Sequence, residues 1–307
     1  MIIILILGFF LLIKGSDYFV DGSSRIAKSL GVPSIVIGLT LVAIGTSLPE
    51  LAVSLTASLR NNNDLSVSNV VGSNFFNLFV ILGFTSLIRN VFVDKKVVCH
   101  DYHISLYSLV LLLVIVLFYH FISGYYVIGR IGGLLLLFFF GIYFAHVLKG
   151  KREGKSNVSV LRLYDVFWMI VGLIFIIIGG EFTVHSASLI ALKMGVSERI
   201  IGLTIVSIGT SLPEFFTSLV AIIKKEEEIA IGNILGSNII NTLLIIGISS
   251  FFSPIYVSVE SIFDLSLLVV GYLFVLIFIL RDYKVTRYEG LWMIFFYLGY
   301  VIYVLIR

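Results

Sequence analysis

The stretch IGLTLVAIGTSLPE at residues 37–50 is repeated as IGLTIVSIGTSLPE at residues 201–214, with twelve of the fourteen positions identical. A second motif follows each copy at the same offset of 164 residues, GSNFFN at 72–77 and GSNIIN at 236–241. Each copy places a glutamate, hydroxyl side chains, a proline and glycines inside a long apolar run. Because a carboxylate at membrane depth is costly, the two glutamates predict a functional site.

The composition is typical of a polytopic membrane protein. Of the 307 residues, 59% are hydrophobic and only 13% are charged, which excludes a soluble globular domain of this length. We interpret the first apolar run as a retained helix rather than a signal peptide. Ten segments are long enough to span a bilayer, at residues 2–29, 33–59, 66–89, 102–122, 125–148, 161–192, 197–224, 228–252, 260–280 and 286–306.

The repeat extends beyond the motifs, since Gly31-Val32 also aligns with Gly195-Val196 at the same offset. We therefore predict an all-α polytopic membrane protein whose ten transmembrane helices form two inverted five-helix repeats. The repeats are residues 1–148 and 161–307, and a polar, basic linker at 149–160 joins them. Because five is an odd number, homologous units in one chain insert with opposite orientation, an arrangement found in secondary transporters.

The positions of the basic residues predict the orientation of the chain. If the central linker is cytoplasmic, the loops on its side carry fifteen of the 21 lysines and arginines, and the opposite side carries five. Positive charge is enriched in cytoplasmic loops. We therefore expect a multi-pass protein with both termini outside the cell.

The first motif is expected to supply cation ligands. Thr46, Ser47 and Glu50 share one helix face, and Pro49 cannot donate to the carbonyl of Gly45, which is thereby freed. The related groups elsewhere are Thr210, Ser211, Glu214, Ser73, Asn77, Ser237 and Asn241. Neither motif contains a histidine or a cysteine, so the site favours a hard cation that binds oxygen. Two carboxylates neutralise one Ca²⁺ or two Na⁺.

Other polar residues in the apolar runs have simpler interpretations. We expect Asn74 and Asn238 to form hydrogen bonds between helices rather than bind an ion. Asp17 and Glu181 lie toward the ends of their runs, where interfacial placement or pairing is expected.

The doubled GTSLPE motif, each copy followed by a glycine-serine-asparagine motif, resembles the sodium/calcium exchangers of the cation/calcium antiporter superfamily. The resemblance covers the whole chain, and the short central linker resembles the prokaryotic type. It implies electrogenic exchange of Na⁺ for Ca²⁺ by alternating access in a prokaryotic plasma membrane. Some members, including the potassium-dependent exchangers, carry aspartate where this chain has Asn241. Potassium-independent animal exchangers resemble this chain in having asparagine there, so the resemblance implies transport that needs no K⁺.

The resemblance also implies a role for each motif residue. Glu50 and Glu214 would be the central ligands, closed in by Asn77 and Asn241. Backbone carbonyls would come from Thr46, Thr210, Ala43 and Ser207. The flanking Na⁺ positions would be lined by Ser47, Ser211, Ser73 and Ser237.

Two other functions remain open from the sequence: exchange of H⁺ for Ca²⁺ or another divalent cation, and a cation channel. A membrane enzyme is disfavoured because no nucleophile–base pair is evident. The expected partners are Ca²⁺, Na⁺ and the lipid bilayer, and we expect no cofactor, nucleotide, nucleic acid or obligatory protein partner.

Overall fold

The computed structural model describes residues 1–60, 63–149, 162–195 and 207–306, and within these ranges the chain is almost entirely helical. The helices are α1 (Ile2–Leu30), α2 (Ser34–Thr46), α3 (Leu48–Leu59), α4 (Leu65–Ile88), α5 (Lys95–Ser123), α6 (Arg130–Lys149), α7 (Leu163–Lys193), α8 (Ser207–Thr210), α9 (Leu212–Ile223), α10 (Glu227–Phe252), α11 (Val259–Asp282) and α12 (Arg287–Ile306). Eight of the described helices are long and apolar enough to cross a membrane, and α2 with α3 forms a ninth span bent by 49°. The chain is an integral, multi-pass membrane protein.

Nine of the ten predicted segments correspond to these spans. The remaining segment, predicted at 197–224, is described only from Ser207 onward, and residues 196–206 lie outside the described part. Most of the predicted linker at 149–160 also lies outside it. The most buried helices are α4 and α10, which form the centre of the protein and carry the second motif of each copy.

Two predicted helix boundaries are wrong. The fourth segment was expected to begin at residue 102, but α5 begins at Lys95 because the side chain of Asp94 caps it by accepting from the Lys96 N–H. The fifth was expected to begin at residue 125, but α6 begins only at Arg130. Gly124 ends α5 in the left-handed conformation with φ 76°, and an extended turn follows it.

Short strands in the turns join the two halves of the chain. Strand β2 (Val127–Ile128) pairs antiparallel with β3 (Ile255–Tyr256), and β1 (Val91–Phe92) pairs antiparallel with β4 (Lys284–Val285). Each pair therefore connects a turn of the N-terminal half with a turn of the C-terminal half.

Helices α1 and α7, which are related by the 164-residue offset, pack against each other in opposite directions. Gly8 of α1 lies against Gly179 of α7, whereas Gly15, further along α1, lies against Gly172. The residue numbers rise along one helix and fall along the other, so the related helices are antiparallel. The small side chains permit close approach of the backbones. This is the inverted arrangement that the repeat predicts.

The α1–α7 contact leaves no space for a side chain at Gly172. A methyl group there would lie 2.6 Å from the backbone nitrogen of Phe19 and 2.7 Å from the carbonyl oxygen of Gly15. We expect Gly172→Ala to lower stability by about 2 kcal/mol, since backbone atoms cannot rotate away. The measurement is the apparent melting temperature in detergent. Gly141→Ala is the matched control, because a methyl group at Gly141 of α6 meets nothing within 4 Å. Equal melting temperatures of the two variants would contradict this packing.

Candidate cation site

Both copies of the first motif form a break between two helices. α2 ends at Thr46, α3 begins at Leu48, and Ser211 separates α8 from α9 in the same way. Pro49 is tolerated because it lies in the first turn of α3, where its missing N–H is not needed. The break places Glu50 and Glu214 in the first turns of α3 and α9, with both side chains fully buried.

The two motifs exchange hydrogen bonds through their serines. Ser211 donates to Glu50 Oε1 at 3.0 Å, and Ser47 donates to Glu214 Oε1 at 3.0 Å. Each glutamate therefore binds the serine of the other copy. The serines of the second motif add a longer bond to each glutamate, both at 3.5 Å, from Ser73 to Glu50 and from Ser237 to Glu214. The symmetry of these bonds follows the sequence repeat.

Asparagines of the second motif join α4 to α10 where the two helices cross. Asn77 donates to Asn238 Oδ1 at 2.9 Å, and Asn241 donates to Asn74 Oδ1 at 3.1 Å. Asn74 also donates to the Thr242 hydroxyl at 2.9 Å. The prediction that Asn74 and Asn238 form bonds between helices is confirmed.

Four oxygens of the site lack a hydrogen-bond donor in the described part of the chain. These are Glu50 Oε2, Glu214 Oε2, Asn77 Oδ1 and Asn241 Oδ1. All four side chains are fully buried, and a buried acceptor without a partner is costly. Both asparagines lie in π-helical turns, Phe76–Ile81 and Ile240–Ile245, a local geometry that is frequent at functional sites. A bound cation is one kind of group that can satisfy such acceptors.

The two asparagines that hold the glutamate turns were not predicted. Asn69 donates to the Glu50 carbonyl at 3.5 Å and to Ser54 at 2.9 Å. Asn233, 164 residues later, donates to the Glu214 carbonyl at 3.3 Å and to Ser218 at 3.0 Å. Their signal was present in the sequence, because the second motif extends upstream as NVVGSN and NILGSN.

The threonines of the motif bind these asparagines. Thr46 lies 3.0 Å from Asn233 Oδ1, and Thr210 lies 3.4 Å from Asn69 Oδ1. Their hydroxyls are therefore engaged, which is consistent with the expectation that any ion contact uses their carbonyls. The carbonyl of Ala43 accepts the Ser47 N–H at 3.1 Å. Ser207 begins α8, and its side chain lies outside the described residues. The roles of these carbonyls stay predictions.

The ligand chemistry is that of a hard cation. The groups in the site are carboxylate, amide and hydroxyl oxygens, and among the described residues no group of three or more His, Cys, Asp or Glu is placed to hold a metal. Oxygen-only sites suit Ca²⁺ and Na⁺, whereas zinc and copper prefer nitrogen and sulfur.

Buried oxygen acceptors between inverted halves of a multi-pass helical protein are typical of a secondary cation transporter. The family model described as sodium/calcium exchanger protein matches residues 1–149 and 164–306. The chain therefore belongs to the sodium/calcium exchanger family.

Individual relatives match over nearly the full chain. Sodium/calcium exchanger MaX1 of Methanosarcina acetivorans is 34% identical, over 98% of this chain and 97% of its own. Inner membrane protein YrbG of Escherichia coli is 32% identical, over 82% of this chain and 79% of its own. A solved structure of the sodium-calcium exchanger NCX_Mj, soaked with Na⁺ and Ca²⁺, superposes with a TM-score of 0.86 at 32% identity, covering 98% of this chain and 97% of that one. These matches confirm the predicted family and fold class.

Proposed function

We propose that this chain exchanges Na⁺ for Ca²⁺ across a membrane by alternating access. The observation that carries the proposal is the set of four buried acceptor oxygens without donors, on Glu50, Glu214, Asn77 and Asn241. Two are carboxylates, so the protein alone places a formal charge of −2 in its interior. One Ca²⁺ or two Na⁺ would neutralise this charge, and the two ions can therefore replace each other at the same place.

The ligand roles follow from the bonds around each group. Glu50 and Glu214 are the central ligands, and Asn77 and Asn241 close the centre through their free oxygens. The serines that bond to the glutamates line the flanking Na⁺ positions, and backbone carbonyls of the broken helices complete the shell. The carbonyl donors are Thr46, Thr210, Ala43 and Ser207, and the serines are Ser47, Ser211, Ser73 and Ser237.

Transport is electrogenic and independent of K⁺ in this proposal. Residue 241 is asparagine, and its amide is neutral, so the site has no third carboxylate to balance a K⁺ beside Ca²⁺. If three Na⁺ replace one Ca²⁺, one net positive charge crosses in each cycle.

The orientation of the chain completes the proposal. Residues 1–148 and 161–307 are the inverted repeats, the linker at 149–160 is cytoplasmic and both termini are outside. Three turns meet at one face, because Lys28 pairs with Glu226 at 3.3 Å and Arg89 pairs with Glu227 at 3.2 Å. This face has the basic excess expected of the cytoplasmic side. A prokaryotic plasma membrane is the proposed location, in keeping with the inner-membrane relative.

The direct test is ⁴⁵Ca²⁺ uptake into proteoliposomes loaded with Na⁺. We expect uptake that requires the outward Na⁺ gradient and continues without K⁺. In separate liposomes that contain K⁺, uptake should accelerate when valinomycin sets a potential that favours the charge movement. Uptake without any ion on the opposite side would indicate a channel. Uptake driven by a pH gradient without Na⁺ would indicate exchange for H⁺, and uptake that ignores the potential would contradict electrogenic exchange.

The turns around the glutamates should be sensitive to their supporting asparagines. We expect Asn69→Ala and Asn233→Ala each to weaken Ca²⁺ binding by roughly tenfold, because groups that orient ligands contribute about 10–100-fold to metal affinity. The measurement is the Ca²⁺ concentration that gives half-maximal uptake. Asn90→Ala, in an exposed turn, is the control. Unchanged half-maximal concentrations in both variants would contradict a positioning role.

A further inference from the structure

Lys224, in the turn between α9 and α10, fastens that turn to α1. Its Nζ lies 2.6 Å from the Asp17 carboxylate and 2.7 Å from the Asp21 carboxylate, and it donates to the Asp17 carbonyl at 2.9 Å. Glu226 in the same turn accepts a hydrogen bond from Ser24 at 2.6 Å. The expectation that Asp17 is paired is thereby confirmed. Its shorter ion pair is with Lys224 of the other half of the chain, and Lys14 of α1 lies 4.0 Å from its carboxylate.

The sequence repeat provides the same charges on the opposite side of the protein. At the offset of 164 residues, Lys224 corresponds to Arg60 and Asp17 corresponds to Glu181. Both charges keep their sign. Arg60 and Glu181 are exposed, and within the described part of the chain no ion pair joins them. Of the two symmetry-related pairs of charges, the structure therefore shows Lys224 and Asp17 in contact and Arg60 and Glu181 apart.

Side-chain burial also differs between the two sides, with the side of the separated charges more open than the side of the formed ion pair. A cavity of about 330 Å³ runs between α3 and α7, lined by Val53, Glu181 and Val184, and reaches Thr210 of the site. The residues that correspond to Val53 and Val184 are Thr217 and Val20, and both are fully buried. The path beside Glu181 is open, and the equivalent path beside Asp17 is closed.

We propose that these two pairs are alternating locks that position α1 and α7 during the exchange cycle, an inference that rests on the proposed antiport. Lys224 with Asp17 and Asp21 holds the conformation seen here, and Arg60 with Glu181 holds the opposite one. Inverted repeats exchange conformations when access changes sides, so the formed pair must break as its counterpart forms. A partly exposed ion pair is weak enough to break in every cycle.

The experiment measures which side is open. Reporter variants Val53→Cys and Thr217→Cys are made separately in a Cys99→Ser background, since Cys99 is the chain's single cysteine. The protein in liposomes is labelled with a maleimide that does not cross the membrane, from each side in turn. The ratio of the Val53→Cys rate to the Thr217→Cys rate reports the balance of the two conformations.

We expect Lys224→Gln to lower this ratio about fivefold and Arg60→Gln to raise it about fivefold, the size expected when partly exposed ion pairing is lost. Lys225→Gln is the matched control, because it removes the same charge from the same turn, and no ion pair of Lys225 occurs among the described residues. A protein that simply loses stability would shift the ratio in one direction for both variants.

The proposal is overturned if both variants move the ratio the same way, if neither moves it, or if Lys225→Gln acts as strongly as Lys224→Gln. Labelling needs no Na⁺ or Ca²⁺ gradient. Failure of Na⁺-driven uptake would therefore contradict the proposed antiport. The labelling ratio would still test whether the two ion pairs hold opposite conformations.

Discussion

Glu50→Gln and Glu214→Gln are each expected to abolish Na⁺-driven Ca²⁺ uptake while the protein still folds. Either substitution halves the −2 charge of the two buried carboxylates. It also replaces one of the two carboxylate oxygens, of which Oε2 has no donor, with an amide NH₂ group that cannot bind a cation. Losing one partner of a buried charge interaction costs about 3 kcal/mol or more, which corresponds to roughly a hundredfold in Ca²⁺ affinity. The measurement is initial ⁴⁵Ca²⁺ uptake into Na⁺-loaded proteoliposomes.

A matched control separates the site from burial in general. Asp101 is a buried carboxylate of α5 that has its own partner, His100, at 3.2 Å. Asp101→Asn should keep Na⁺-driven uptake, and all three variants should elute from gel filtration as the unmodified protein does. Near-normal uptake in either glutamine variant would contradict the assignment of that glutamate as a central ligand.

The same variants test whether the two ions share the carboxylates. A shared carboxylate serves both ions, so ²²Na⁺ exchange should fall together with ⁴⁵Ca²⁺ uptake. Full Na⁺ exchange in a variant that had lost all Ca²⁺ transport would show that the ions use separate ligands.

The repeated motifs made the centre of this site predictable from the sequence. A motif that occurs once has many explanations, but two copies at one offset place Glu50 and Glu214 at equivalent positions in inverted halves. Asn69 and Asn233 repeat at the same offset and were missed because the second motif was taken to begin at its glycine, three residues after each of them. They bind the backbone of the glutamate turns, a role that side-chain patterns alone do not reveal.

Other features depend on tertiary contacts that break the symmetry. Tyr272 accepts a hydrogen bond from Asn238 and bonds to Ser105 at 2.7 Å. Its counterpart at the offset of 164 residues is Ser108, which is too short to make the same contacts, so the repeat could not predict this support. The start of α6 was missed for a related reason, since pairing of β2 with β3 holds the preceding residues extended.

Asn241→Asp is expected to lower Ca²⁺ uptake about tenfold in the absence of K⁺, with partial recovery when K⁺ is added. Asn241 Nδ2 donates to Asn74 Oδ1 at 3.1 Å, and its Oδ1 has no donor among the described residues. An aspartate cannot donate, so Asn74 Oδ1 would face a carboxylate. The buried charge would also change from −2 to −3 and would remain unbalanced after one Ca²⁺ binds, which is unfavourable in the protein interior. The expected tenfold loss corresponds to a penalty of about 1.4 kcal/mol.

Added K⁺ tests the charge directly, because a monovalent ion beside Ca²⁺ would neutralise the third carboxylate. Asn77→Asp, at the equivalent position of the first half, should behave in the same way, and Asn90→Asp adds the same charge in an exposed turn as the control. Uptake is measured in K⁺-free and K⁺-containing buffers at a clamped membrane potential, so that K⁺ acts only as a ligand. Unchanged K⁺-free uptake in Asn241→Asp would mean that residue 241 does not face the ion. A loss that K⁺ does not relieve would mean that the broken bond to Asn74, rather than the added charge, limits transport.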